Sequence, residues 1–397
     1  MKHFSHLNTA VRILTDYHGQ QPFGLFIKDF FRGEKKYGSR DRKQISHLCY
    51  CFFRLGKAAT GLSTGERIIL ALFLCSEYPN ELLKELRPEL HEKIALPVEE
   101  KIHAAGHPFS LTAIFPFDAE LSNDIDRAPF AQSHLRQPDL FLRLRPGKEK
   151  QVEARLKQAG VNYEKLSAHC LALPNGSKVE ELMELDKEAV VQDYNSQKTG
   201  EMLHLLTDVP VETEVNKGKG KIKTWDCCAA SGGKSIMAKD ILGNIDLTVS
   251  DVRKPIIANL EKRFATAGIS DYNHFIADLS VGHNQLYGEK YGLVIADLPC
   301  TGSGTWGRTP EQLYFFDEKK IDEYRSLQER IIRNVLPMLN VGGYLLYITC
   351  SVFKKENEEM VDFIRQISTL QLIRMETLKG YDRKADTMFT ALLRRPL

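Results

Sequence analysis

IKTWDCCAASGGKSIMAKDIL, residues 222–242, decides the fold. An apolar run at 222–227 gives way to a cluster of small residues, and then to a helical pattern over 233–242. In such a strand–turn–helix, small side chains let backbone amides approach a ligand, and the helix aims its positive end at that ligand. Further apolar runs at 245–250, 273–277, 292–297 and 343–349 read as buried parallel strands. Helical stretches at 254–267, 318–339 and 355–367 alternate with them. The alternation predicts an α/β domain with a mainly parallel sheet and helices on both faces.

Chemistry-bearing residues sit at the ends of those runs, where an open α/β sheet has its ligand crevice. Asp251 closes the second run about twenty residues after the glycine turn, a spacing that suits a carboxylate accepting ribose hydroxyls. Asp278 follows the third run and suits an adenine amino group, and Asp297 closes the fourth. A single acidic residue at a strand end is commonly a helix cap. Three in succession after a Gly-rich turn point to a nucleoside. Gly233, Lys234 and Ser235 also fit the end of a phosphate-binding loop, with Asp297 to hold Mg²⁺. However, the first Gly of that pattern falls on Cys228, whose side chain would crowd the phosphates. Cys300 in VIADLPCTGSG (294–304) and Cys350 in YLLYITCS (344–351) follow the last two runs. Free Cys is often a small buried hydrophobe. Two thiols at two strand ends beside a nucleoside site suit nucleophilic sulfur, whose reactivity its surroundings set.

The 397 residues carry 54 Lys/Arg and 52 Asp/Glu, so the balance is nearly neutral, and the eight cysteines have no framework spacing. The strongest apolar run, IILALFLC (68–75), is too short to cross a bilayer, and the N-terminus lacks a signal-peptide pattern. These features predict a cytoplasmic protein with reduced thiols and no membrane partner. The absence of a CxxC pair predicts no metal site. The length predicts two or three domains. Residues 1–115 read as helical: 42–55 has one apolar face, Ser63 and Glu66 form a capping-box pattern, and 81–93 is amphipathic. Residues 116–195 read as a linker loop (115–138) and a small α/β unit. Its strand at 141–146 puts Arg143 and Arg145 on one face, and a helix follows at 149–160. KGKGK (217–221) reads as a flexible, solvated basic loop. Residues 1–60 hold eleven Lys/Arg against four Asp/Glu, densest in RGEKKYGSRDRK (32–43). With Tyr37 inside that segment and Phe30 and Phe31 beside it, this is the footprint of a phosphate-backbone binder. A solvated helical face is the plainer alternative.

DCCAASGGKS (226–235), ADLPCTGSGT (296–305) and YITCSVFKKENEE (347–359) resemble, in order and spacing, the motifs of the Sun/Nol-type (RsmB/NOP) RNA cytosine-5 methyltransferases. VQDYNSQ (191–197) resembles that family's lead-in to its catalytic domain, and DTMFTALLRR (386–395) its closing strand. GSRDRK (38–43) and CYCFFR (49–54) are more loosely similar to the NusB-like domain of the bacterial ribosomal-RNA members. The resemblance implies a Rossmann-like class I methyltransferase domain over 196–397, preceded by a small RRM-like unit and a helical, NusB-like RNA-binding domain. It implies S-adenosyl-L-methionine against Cys228, Ala229, Ala230, Ser231, Gly232, Gly233 and Lys234. Lys234 would lie near the cofactor's carboxylate, Asp251 at its ribose and Asp278 at its adenine, with Asp297 also at the site. It implies Cys350 as the nucleophile, Cys300 as the group that helps expel the product, and Asp297 as the residue that hydrogen-bonds and polarises the cytosine. The implied partner is RNA, ribosomal ahead of transfer RNA, bound by a monomer whose basic N-terminal face and Arg143 and Arg145 would hold the backbone.

The sequence departs from the family at Ser231, where Pro is usual, at Gly307 beside Arg308, where an Arg pair is usual, and at Thr387, where a small residue is often seen. Two other readings stay open: a tRNA-directed enzyme, and a non-catalytic RNA-binding assembly factor. Intact Cys300, Cys350, Asp297 and Lys234 favour an enzyme.

Overall fold

The computed structural model describes residues 2–207, 221–281 and 288–397. The basic stretch at 217–220 lies outside them. The chain forms two compact units. One comprises Glu120–Ile125, Pro138–Gly304 and Lys319–Leu397, and the other Met1–Ala119, Asp126–Gln137 and Thr305–Glu318.

In the first unit, four strands come early: β1 (Leu140–Leu144), β2 (Glu164–Lys165), β3 (Cys170–Leu173) and β4 (Ala189–Val191). They form an antiparallel sheet in the order β2-β3-β1-β4. The helix Glu149–Gln158 links β1 to β2, whereas β3 and β4 are joined through only a 3-10 turn at Val179–Glu181. Seven strands follow: β5 (Ile222–Asp226), β6 (Ile245–Asp251), β7 (Tyr272–Ile276), β8 (Tyr291–Asp297), β9 (Leu339–Thr349), β10 (Gln371–Leu378) and β11 (Met388–Arg394). Their order is β10-β11-β9-β8-β5-β6-β7. β5 to β9 pair in parallel, β11 runs antiparallel to β9, and β10 antiparallel to β11. The expected mainly parallel sheet is present. Strand order reverses at β5, which lies between β6 and β8, and this places a ligand crevice at the carboxyl ends of β5 and β8.

Alternation along the strands feeds two cores. Leu293, Ile295, Leu346 and Ile348 pack on one face with Ile236 and Leu260, from the helices Gly233–Leu242 and Lys254–Ala267. Val294, Ala296, Leu345 and Tyr347 pack on the other with Ile332 and Met360, from the helices Lys319–Val335 and Glu358–Ile367. The stretch expected as one helix at 318–339 ends its α-helix at Val335, and a 3-10 turn at Leu336–Met338 follows, because Pro337 cannot continue the ladder. The edge strand β10 has no counterpart in the sequence reading. Its residues are mostly exposed, so they lack the apolar run of a central strand.

In the second unit, the helices Lys2–Asp16, Phe23–Gly33, Ser39–Arg54 and Thr64–Cys75 form the body. The capping box at Ser63 and Glu66 is present in full. The amphipathic 81–93 stretch divides into Glu81–Leu86 and Pro88–His91, since Pro88 forces Arg87 out of helical geometry (φ −149°, ψ 66°). The expected 115–138 loop contains the helix Arg127–Ser133, which buries Phe130 and Ala131. Segment 305–318 belongs to this unit by packing and hydrogen bonding. Buried Arg54 donates to the carbonyls of His134, Arg136 and Gly307, and Phe52 and Phe53 meet Tyr314.

Arg143 and Arg145 were expected to hold an RNA backbone, and the structure corrects this. Both side chains are largely buried and share the carboxylate of Asp240, and Arg145 also donates to the carbonyls of Asp186 and Ala267. Facing one carboxylate, the two guanidiniums lock the small sheet onto the helix Gly233–Leu242. Asp240→Ala leaves both buried cations without their anion, and removing one partner of a buried pair costs about 3–5 kcal/mol. The expected loss of that order is read by urea unfolding, and an unchanged midpoint would contradict the assignment.

Candidate active site

The turn after β5 is built from backbone geometry that side chains seldom adopt. Ala230 has φ +46° and Gly232 φ +84°, and a Cβ on Gly232 would stand 2.5 Å from the Phe264 ring. Glycine is therefore required there. The Ala229 amide donates to the Ser250 carbonyl at 2.9 Å, which ties the turn to β6. At Gly233 an added Cβ would meet nothing within 4 Å, so the turn borders open space at the helix N-terminus. Ser231, in place of the family's Pro, accepts from Arg263 through both its hydroxyl and its carbonyl.

Charged residues from two strand ends, Asp297 of β8 and Asp251 of β6, meet this turn. Lys234 Nζ donates to Asp297 Oδ2 at 3.0 Å and to Ser196 Oγ at 2.8 Å. Asp251 accepts the Ala230 amide at 3.0 Å, and Arg253 donates to it through its backbone and guanidinium. Burial works against ionisation of Asp251, but the Arg253 bonds and charge outweigh it and hold the carboxyl below its usual range. Arg253 has a side chain 60% exposed, so it can swing away and leave those oxygens to other donors. Asp278 is exposed and accepts the amide and hydroxyl of Ser280 through Oδ1, which lowers its pKa and leaves acceptor capacity at Oδ2. Ser235, which closes the phosphate-loop pattern of the nucleotide-triphosphate alternative, is buried and donates its hydroxyl to Asp226 at 2.6 Å. That engagement weighs against a phosphate-binding loop.

The two cysteines are brought together. Cys300 and Cys350 have their sulfurs 3.3 Å apart. The loop after β8 is fixed to the end of β9, because Leu298 N–H donates to the Ile348 carbonyl and Gly304 N–H to the Cys350 carbonyl. Thr387 N–H in turn donates to the Gly304 carbonyl, and a Cβ at Gly304 would lie 1.8 Å from the Thr387 oxygen. Only glycine fits. The hydrogen bond with Cys350, then burial, then the nearby charge of Glu356 push the Cys300 thiol well above its usual pKa.

Sequence reasoning missed four residues of this site. Ser196 lies within a quoted motif but carried no role. Arg253 gives no signal beyond its closeness to Asp251. Glu356 follows Cys350 by six residues and is wholly buried. Asp226, at the end of β5, is also fully buried. Its Oδ1 has no hydrogen-bond partner among the described residues, and burial pushes its pKa up to about 7. Among the described residues, no cluster of His, Cys, Asp or Glu is arranged to hold a metal ion.

A family model described as 16S rRNA methyltransferase RsmB/F matches residues 213–393. The "Probable ribosomal RNA small subunit methyltransferase B" of Bacillus subtilis (strain 168) is 25% identical over 236 residues, covering 57% of this chain and 49% of that protein. The 28S rRNA (cytosine-C(5))-methyltransferase of Mus musculus is 27% identical over 196 residues, 47% of this chain and 23% of that protein. The chain thus spans half or less of these relatives' length. Among solved structures, PH0851 superposes with a TM-score of 0.68 at 17% identity, covering 99% of this chain and 98% of that one. NSun6 from Pyrococcus horikoshii, solved with SFG, gives 0.54 at 15% identity, covering 65% of this chain and 91% of that one. At these identities the two structures establish likeness of fold.

Asp226 holds its proton to higher pH when folded than when unfolded. Its contribution is therefore present in acid and is lost as pH rises from about 4 to about 7. Asp226→Asn is expected to flatten that decline, measured as melting temperature from pH 4 to 8. Parallel curves for the two proteins would contradict it.

Proposed function

We propose that the chain transfers a methyl group from S-adenosylmethionine to carbon 5 of a cytosine in RNA, ribosomal RNA ahead of transfer RNA, a reading supported by the match of residues 213–393 to the RsmB/F methyltransferase family model. The observation that carries this reading is the pair of sulfurs 3.3 Å apart at two strand ends, beside the glycine turn and its acidic rim. Several features of the turn suit the cofactor. Gly233 leaves room for backbone approach, Lys234 supplies a cation for its carboxylate, Asp251 receives its ribose once Arg253 moves, and Asp278 has acceptor capacity for its adenine. Cys228, Ala229, Ala230 and Ser231 complete the turn. When bound, S-adenosylmethionine supplies an electrophilic methyl group.

The chain's own residues do the rest. Carbon 5 of cytosine is too weak a nucleophile by itself. The Cys350 thiolate adds to carbon 6, and the ring electrons then make carbon 5 nucleophilic. Asp297, oriented by Lys234, hydrogen-bonds the base and polarises the ring. After transfer, the proton on carbon 5 leaves to a base, the ring double bond re-forms and Cys350 departs as thiolate. Cys300 assists that release. The target base must be unstacked to reach two sulfurs, which favours single-stranded or refolded RNA.

By this reading residues 1–115 form a NusB-like RNA-holding domain joined by segments 126–137 and 305–318, the rest of 116–195 is a linker with an RRM-like unit, and the rest of 196–397 is the methyltransferase domain of a cytoplasmic monomer. The four-stranded order β2-β3-β1-β4 supports the RRM-like assignment. Lys35, Arg40 and Lys43, exposed near the start of the helix Ser39–Arg54, are the groups offered to phosphates.

Cys350→Ala is expected to abolish methyl transfer and form no adduct, whereas Cys300→Ala accumulates a covalent protein–RNA adduct, seen by denaturing gel. An adduct formed by Cys350→Ala would reverse the roles. Replacing Lys35, Arg40 and Lys43 together by Ala is expected to lower the slope of log K against log salt by about 2, since each single-strand phosphate contact contributes about 0.7. An unchanged slope would move the RNA surface elsewhere.

A further inference from the structure

Glu356 has no part in the sulfur chemistry above, yet its carboxylate sits between the two cysteine loops. It is 0% exposed. Oε1 accepts the Thr301 N–H at 3.0 Å and Gln328 Nε2 at 3.1 Å. Oε2 accepts the Thr301 hydroxyl at 2.6 Å and the Ser351 hydroxyl. Thr301 follows Cys300, and Ser351 follows Cys350. One side chain therefore grips the next residue after each sulfur. Gln328 extends the grip to the other side of Cys300 by donating to the Pro299 carbonyl at 2.9 Å.

Glu356 is itself held in place. Its carbonyl accepts the Tyr347 hydroxyl of β9 at 2.6 Å. Its neighbour Asn357 donates to the Ser351 carbonyl and accepts from Thr349. Burial pushes the carboxyl's pKa up, and the hydrogen bonds from Ser351, Thr301 and Gln328 oppose that shift. Burying an ionisable group is costly, and an apolar side chain fills such a space at least as well; the best-supported use of a buried polar group is to fix register. Here the segments registered are those that carry the thiols.

We propose that Glu356 is a positioning residue that holds the Cys300 and Cys350 loops in register, so that both sulfurs reach one nucleobase. The catalytic half of this statement rests on the cysteine chemistry proposed above; the geometric half does not. Glu356→Gln keeps the size and one acceptor but loses the carboxylate that takes both hydroxyls. Thr301→Val removes one donor and keeps the fold's apolar contacts. The test uses full-length protein without RNA or cofactor: dibromobimane bridging of Cys300 to Cys350, quantified by peptide mass mapping, with melting curves confirming that each variant is folded.

Bridging is expected to slow about tenfold in Glu356→Gln and less in Thr301→Val. The turnover number in RNA methylation is expected to fall about 100-fold with little change in KM, the scale of loss when reacting groups are misplaced by about 1 Å. Slower bridging supports the assignment whether or not the parent protein transfers methyl groups. Bridging at the parent rate in folded Glu356→Gln overturns it. Should that variant not fold, bridging at the parent rate in Thr301→Val overturns it equally.

Discussion

Gly304 is the point on which the site depends. Its amide donates to the Cys350 carbonyl, and its own carbonyl accepts from Thr387. β8 and β9 are neighbours in the parallel sheet, so the loops leaving them could diverge by many paths. These backbone bonds remove that freedom. They are possible only because residue 304 has no Cβ, which would collide with the Thr387 carbonyl. Once the loop is closed, Cys300 and Cys350 must share a small volume, and the network around Glu356 sets how they share it. Sulfur separation is thus a property of backbone closure first and of side chains second.

Electrostatics around the turn follow a similar division. Acidic residues at successive strand ends would repel one another if left alone. The structure relieves that repulsion locally: Lys234 takes Asp297, Arg253 takes Asp251, and Asp226 is pushed toward its neutral form by burial. A cationic nucleoside carrying an amino acid suits such a rim, because its charges complement the acids and Lys234 together. Arg253, with a far more exposed side chain than Lys234, is the partner that a competing donor displaces more easily.

Much of this was legible in the sequence. β5, β6, β8 and β9 were visible as apolar runs because parallel strands are buried on both faces, and the helix Gly233–Leu242 was visible because small residues preceded it. β10 was not, because an edge strand needs no apolar run. Arg143 and Arg145 illustrate the other failure. Alternation placed them on one face, but only the fold reveals Asp240, far along the chain, waiting between them. Glu356 was hidden for the same reason: its role lies in partners at Thr301 and Gln328, which no local pattern connects to it.

Methyl transfer onto RNA is the claim to which the sulfur pair, the acidic rim and the family match all lead. The most direct measurement incubates the purified protein with tritiated S-adenosylmethionine and total RNA from a strain lacking this gene, then separates the nucleosides. Tritium in 5-methylcytidine, carried mainly by ribosomal RNA, is the predicted result. Tritium in another nucleoside, or none in RNA although the protein binds the methyl donor, would contradict the account.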